Sequence, residues 1–245
     1  MGTVVTVDIR DIALPRAAVD AVIGWFHDVD HTFSTYRAES EISRLDRGEL
    51  SEGECSPDVR EVLGLCAEVE RLSRGHFDIR YRGRLDPSGL VKGWSVERAA
   101  GMLQAAGARC FFVGAGGDVV TRGRPLPGQL WRVGIRHPEL AAQVAAVLQT
   151  GDLAIATSGT YERREHIVDP RTGGAPAKLL SMTVVGPSLT YADAFATAAY
   201  VMGEEGLQWV AGIGRYEALA ITRDHRIVWT PGMDSLLVSA KAPVR

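Results

Sequence analysis

Two hydrophobic periods alternate along this chain, and their order limits what it can fold into. Residues 3–9 (TVVTVDI) alternate and are β-branched, which predicts a strand. Residues 15–33 then place Val19, Val22, Ile23, Phe26, Val29 and Phe33 at helical spacing. After the loop STYRAESEISRLDRG, a second helix is expected near 57–73. Its apolar face is Val59, Val62, Leu63, Cys66, Val69 and Leu72, with Ser56-Pro57 as cap and first turn. Further helices are expected over about 92–107, 138–149 and 190–203, with a short one after the last. Strands are expected near 110–114, 117–121, 130–136, 152–157, 164–168, 181–186, 216–222 and 226–230. The two periods are intermixed without strict βαβ alternation, which predicts a mixed-sheet α/β or α+β domain. The sequence holds no repeat, low-complexity tract or clear linker.

A chain of 245 residues, 46% hydrophobic and 23% charged, can build its core without a disulfide or metal staple. The net charge of −3 leaves no basic footprint for nucleic acid and no polybasic membrane surface. Cys55, Cys66 and Cys110 are widely spaced and odd in number, as expected of reduced thiols in a cytoplasm. No run approaches the length of a membrane-spanning helix. The opening MGTVVTVDIR lacks a charged start and an apolar stretch, so a signal peptide is not expected and the expected location is cytoplasmic. Asparagine is absent and arginine outnumbers lysine 24 to 3, in keeping with GC-rich coding. The three lysines, Lys92, Lys178 and Lys241, therefore stand out.

Four stretches can carry chemistry. TSGTYERREHIVDPRTG (157–173) sets His166 near Asp169 between two turns, the pattern of an active-site strand; a hydrogen-bonded structural histidine fits it too. In TYADAFATAAYVMG, Asp193 and Thr197 stand four apart on one helical face among alanines. That hard oxygen pair suits Mg²⁺ or Ca²⁺ better than zinc. A helix-dipole aspartate beside a solvent-facing threonine has the same spacing. LDPSGLVKG (85–93) turns into a helix whose first residues include Lys92, an anion site in the making, with Gly89 able to offer its carbonyl to a cation. A capped helix start with Lys92 in solvent is the plainer alternative. VGAGGDVVTRG (113–123) lacks the third glycine of a dinucleotide fingerprint and precedes a strand, so a turn beneath a ligand or a plain hairpin fits better. His27, His31, His76, His137 and His225 show no HxH or HExxH spacing. GxSxG and P-loop motifs are also absent.

In order, these stretches resemble one family, the ApbE-type FAD:protein FMN transferases. The resemblance rests on MGT (1–3), FSTYRAESEISRLD (33–46), GHFD (75–78), DPSGLVKGWSVERA (86–99), GAGGDV (114–119), ATSGTYERREHIVDPRTG (156–173) and the Asp193/Thr197 helix. It implies one T-fold-like α+β domain over residues 1–245, with helices packed on sheets. It also implies FAD as substrate, a divalent metal (Mg²⁺, with Mn²⁺ or Ca²⁺ as alternatives) and an acceptor protein with a Thr/Ser flavinylation motif. FMN would pass to that hydroxyl and AMP would leave. By resemblance, Gly89, Asp193 and Thr197 match metal ligands, and His166 matches the catalytic base. Met1, Tyr36, His76, Phe77, Asp78, Asp86, Lys92 and Ile167 match FAD-binding positions. Two departures are visible. Gly114 replaces the usual Asn before AGGD, and FDIRYRGRLDPSG is short, which leaves Tyr81 or Arg82 to build part of the cofactor wall. Alternatives from the same residues are an FAD pyrophosphatase yielding FMN and AMP, and a non-catalytic flavin-binding protein.

Overall fold

A computed structural model describes residues 3–81, 83–140, 142–159 and 167–240. Its centre is a seven-stranded sheet. The strand order is β1 (Val5–Ile9), β4 (Phe111–Ala115), β5 (Asp118–Arg122), β8 (Ala154–Gly159), β9 (Leu179–Gly186), β10 (Glu217–Thr222) and β11 (Ile227–Trp229). A three-stranded sheet runs β12 (Leu237–Ala240), β7 (Val144–Thr150) and β6 (Trp131–Arg136); β2 (Arg80–Tyr81) and β3 (Arg84–Leu85) form a separate hairpin. Each of these neighbouring pairs is antiparallel. The α+β form of the expected architecture is what the chain adopts, but the sheets are not mixed, since every one of these strand pairs is antiparallel.

The period-2 alternation of the central strands sorts side chains into two cores. Ala154, Ala156, Met182, Val184, Ala218 and Ala220 face the helices. Ile155, Leu180, Val185, Leu219 and Ile221 face Ile135, Ala146 and Leu148 of the smaller sheet. The result is three layers: helices, central sheet, small sheet. The helices are α1 (Arg16–Phe33), α2 (Glu41–Asp46), α3 (Pro57–Leu72), α4 (Ser88–Ala105), α5 (Leu189–Met202) and α6 (Glu205–Ile213). α3 starts as its sequence predicts, with Ser56 Oγ accepting the Val59 N–H at 3.4 Å and Pro57 in the first turn.

Small residues on the sheet side let α5 lie close to β8 and β9, and a glycine lets α4 lie close to α5. A Cβ at Gly93 would stand 2.4 Å from the Leu189 carbonyl oxygen, so the α4–α5 crossing requires glycine there. Glu97 ties the two helices further: its Oε2 accepts from Ser188 Oγ at 2.6 Å, the Thr190 N–H at 3.0 Å and Thr190 Oγ1 at 2.5 Å.

Four further expectations need correction. The stretch STYRAESEISRLDRG is not all loop, since Glu41–Asp46 is helix α2 with Ser40 as its cap. The alanine-rich stretch 138–149 is not helical; Val144–Thr150 is strand β7, paired on both sides. Ala146, Leu148 and Thr150 are buried at period 2, and two strand partners outweigh alanine's helix preference. α4 begins at Ser88, earlier than 92, so the turn before it is shorter than expected. Ile167 and Val168 are not in a strand, and 164–166 lie outside the described residues. The three cysteines are buried free thiols. Among the described residues, no helix is long and apolar enough to cross a membrane.

Candidate functional site

The short turn before α4 sets the floor of a cleft. Asp86 Oδ1 accepts the Ser88 N–H at 3.0 Å, which closes the turn and starts the helix at once. Gly89 and Lys92 then fall in the first two turns of α4, on the side that lines a cleft of about 1070 Å³. A Cβ at Gly89 would stand 3.2 Å from the Phe77 ring and 3.9 Å from Thr197 Oγ1, so glycine here leaves room beside the threonine.

Across from α4, Asp193 and Thr197 project from one face of α5 into the same cleft. Asp193 is 3% exposed, and its Oδ2 accepts the Gly93 N–H at 2.9 Å. It answers a neighbouring helix rather than the dipole of its own. Thr197 Oγ1 shares a hydrogen bond of 3.1 Å with Ser158 Oγ. Lys92 is not simply solvated. Its Nζ lies 2.7 Å from Asp118 Oδ2 and 3.5 Å from Asp193 Oδ1.

The other wall comes from the GHFD segment and its surroundings. Phe77 is buried at 3% exposure, whereas Tyr36 on the rim is 92% exposed. The His76 Nδ1–H donates to the Ser73 carbonyl at 2.7 Å. Its Nε2 lies 2.9 Å from Arg171 Nη1. Asp78 Oδ1 accepts the Arg80 N–H at 2.8 Å. Gly116 and Gly117, with φ of 56° and 88°, turn β4 into β5 at the cleft's edge. The glycine-rich stretch is thus a hairpin turn beside the cavity, with no helix after it.

Ten of the twelve site residues expected from the sequence line this one cleft: Tyr36, His76, Phe77, Asp78, Asp86, Gly89, Lys92, Ile167, Asp193 and Thr197. Met1 and His166 lie outside the described residues. So does Arg82, and of Tyr81 only the backbone in β2 is described; the short segment contributes Arg80 to the wall. Sequence reasoning passed over Asp118, Gly93 and Ser158. Asp118 carried a signal, an acid at the start of a strand directly after a two-glycine turn. The other two carried none, because their partners lie 100 and 39 residues away.

Asp193, the hydroxyls of Thr197 and Ser158, and a Gly89 carbonyl are all hard oxygen donors. One carboxylate with neutral oxygens is a donor set that would suit a hard divalent ion such as Mg²⁺. Among the described residues no group of three or more His, Cys, Asp or Glu side chains is placed to hold a metal.

The ApbE family model matches residues 1–83 and 80–220. A Vibrio cholerae protein named FAD:protein FMN transferase is 36% identical over 149 residues, 57% of this chain and 45% of that protein. The Escherichia coli K12 protein of the same name is 33% identical over 173 residues, 64% of this chain and 48% of that protein. The aligned stretch thus spans about half the length of these relatives. Among solved structures, the flavin transferase ApbE from Vibrio cholerae superposes with a TM-score of 0.85 at 24% identity, covering 97% of this chain and 96% of that one. The ApbE protein from Thermotoga maritima gives 0.85 at 20% identity, with the same coverages. At that identity these two likenesses speak for the fold.

Proposed function

The chain belongs to the ApbE family, and from that premise we propose that it transfers the FMN moiety of FAD to a Thr or Ser hydroxyl of an acceptor protein, releasing AMP. One observation carries the reading. Ten residues scattered from Tyr36 to Thr197 converge on a single cleft of about 1070 Å³, large enough for a dinucleotide. The residues at its floor suit a pyrophosphate. Lys92, in the first turns of α4, would face the anion. The aromatic wall of Tyr36 and Phe77 suits a flat ring system.

Asp193, Thr197 and Gly89 would hold the divalent ion. Mg²⁺, when bound, supplies charge neutralisation on the pyrophosphate oxygens. His166 is read as the base. It takes the proton of the acceptor hydroxyl as that oxygen bonds to the FMN-side phosphorus, worth roughly 10²–10⁴-fold. The phosphorus–oxygen bond to AMP breaks, and a phosphodiester joins FMN to the acceptor. Residues 1–245 are read as one domain, since both cores share the central sheet. The three buried thiols favour a reducing compartment such as the cytoplasm.

The test is incubation with FAD, Mg²⁺ and an acceptor domain carrying a Thr flavinylation motif, read by in-gel flavin fluorescence and AMP release. Both signals are expected. AMP without a fluorescent acceptor would turn the reading to FAD pyrophosphatase, and neither signal would refute both. His166→Ala should abolish labelling while FAD still binds. Asp193→Ala should shift the Mg²⁺ titration steeply upward.

A further inference from the structure

Asp118 has more charge than its structural task needs. It opens β5, directly after the Gly116-Gly117 turn, with its side chain 0% exposed. Its Oδ1 accepts the Thr157 N–H at 3.0 Å, which fixes β5 to β8 where their ladder ends. A neutral amide oxygen would serve that bond equally well. Its Oδ2 accepts no aligned hydrogen bond and meets the Lys92 ammonium at 2.7 Å. A fully buried carboxylate is costly unless a cation answers it.

Lys92 in turn is set by this contact. It reaches the cleft from α4 with 24% of its side chain exposed. Its stem runs past Gly116, where a Cβ would lie 3.5 Å from Lys92 Cδ. On its own, a lysine ammonium is a flexible point charge with several rotamers open to it. Here Asp118 holds it from below and Asp193 stands 3.5 Å to one side, so the ammonium is kept at the cavity wall.

We propose that Asp118 is a positioning residue for Lys92: it holds the ammonium in place and pointed into the cleft, where it meets the pyrophosphate of a dinucleotide. This rests on the FAD reading above. Asp118 touches no substrate and acts only through Lys92, so its effect on ligand binding must vanish when the lysine is gone.

A double-mutant cycle tests this in the full chain. Lys92→Met, Asp118→Asn and the double variant are titrated with FAD and with riboflavin, which lacks phosphate. EDTA is present so that no turnover occurs, and melting curves identify any variant that fails to fold. Lys92→Met and Asp118→Asn should each weaken FAD by roughly 10- to 100-fold, the range for a lost charged hydrogen bond. Riboflavin affinity should stay within about two-fold, since no phosphate is involved. The double variant should bind FAD no more weakly than Lys92→Met. If Asp118→Asn alone does not fold, the double variant decides, because it removes both charges together. Additive loss in the double variant would make Asp118 a general structural residue and overturn the proposal. An unchanged FAD affinity in Asp118→Asn beside a weakened Lys92→Met would overturn it too, while leaving the FAD reading intact. If Lys92→Met also binds FAD normally, the FAD reading of this site falls with it.

Discussion

Replacing Gly93 with alanine should damage the fold and the site together. The added Cβ would lie 2.4 Å from the Leu189 carbonyl oxygen, 3.0 Å from its carbon and 2.8 Å from Asp193 Cβ. Carbon contacts are comfortable at ~3.5–4.0 Å, so α4 and α5 must separate by about 1 Å. The obstruction is mostly backbone, which cannot rotate aside, so the overpacking cost lies near the upper part of its ~1–3 kcal/mol range. Separation also lengthens the 2.9 Å bond from the Gly93 N–H to Asp193, a charged hydrogen bond worth ~1.5–3 kcal/mol. The sum is about 3–5 kcal/mol, a fall in Tm of about 10 °C for a chain of this size. Gly101 provides the control. It lies in the same helix, is exposed, and a Cβ added there would meet nothing within 4 Å. Gly101→Ala should therefore stabilise by about 0.5–1 kcal/mol, through helix preference alone. Thermal melts of the two variants beside the parent measure both signs. If Gly93→Ala melts within about 2 °C of the parent, less than 1 kcal/mol has been lost and the tight α4–α5 crossing is wrong.

Other outcomes follow from single features. Tyr36→Ala should leave Tm unchanged, because the side chain is 92% exposed, yet weaken FAD by about ten-fold if the ring stacks on the ligand; equilibrium titration and a melt separate the two effects. Glu97→Ala removes the acceptor for three hydrogen bonds at the start of α5 and should cost about 2–3 kcal/mol, measured as a shift in urea midpoint at constant slope. Burial, with Glu70 adding to it, pushes the Cys66 thiol up to about 12. The folded state therefore keeps that proton while the unfolded chain releases it above about pH 8.5. This share of stability is full below that pH and falls by about 1.4 kcal/mol per unit as pH rises toward 12. Urea midpoints at pH 8 and pH 10.5 measure it, and a Cys66→Ala comparison should show a smaller drop.

Much of this site was legible because its chemistry sits in short local patterns. Asp193 and Thr197 share a face by helical spacing alone, and LDPSGLVKG announces a turn into a helix, although the helix starts at Ser88 and not near 92. The hidden part depends on pairs far apart in sequence. Nothing near Gly93 says that an α5 carbonyl passes over it, and nothing near Ser158 says that Thr197 will share its hydroxyl. Asp118 is intermediate: its place after two glycines was visible, but its partner Lys92 was not. The misread stretch is β7. Ala145, Ala146 and their neighbours favour a helix locally, but the buried Ala146, Leu148 and Thr150 obey a period of two that β6 and β12 enforce from both sides.

The most direct test of the proposed activity is the intact mass of the acceptor domain. Under single-turnover conditions with FAD and Mg²⁺, the acceptor should gain one FMN phosphodiester at its Thr, with one AMP released per acceptor labelled. An acceptor with that Thr replaced by Ala should gain nothing. Unchanged acceptor mass beside full conversion of FAD to FMN and AMP would contradict the transferase account.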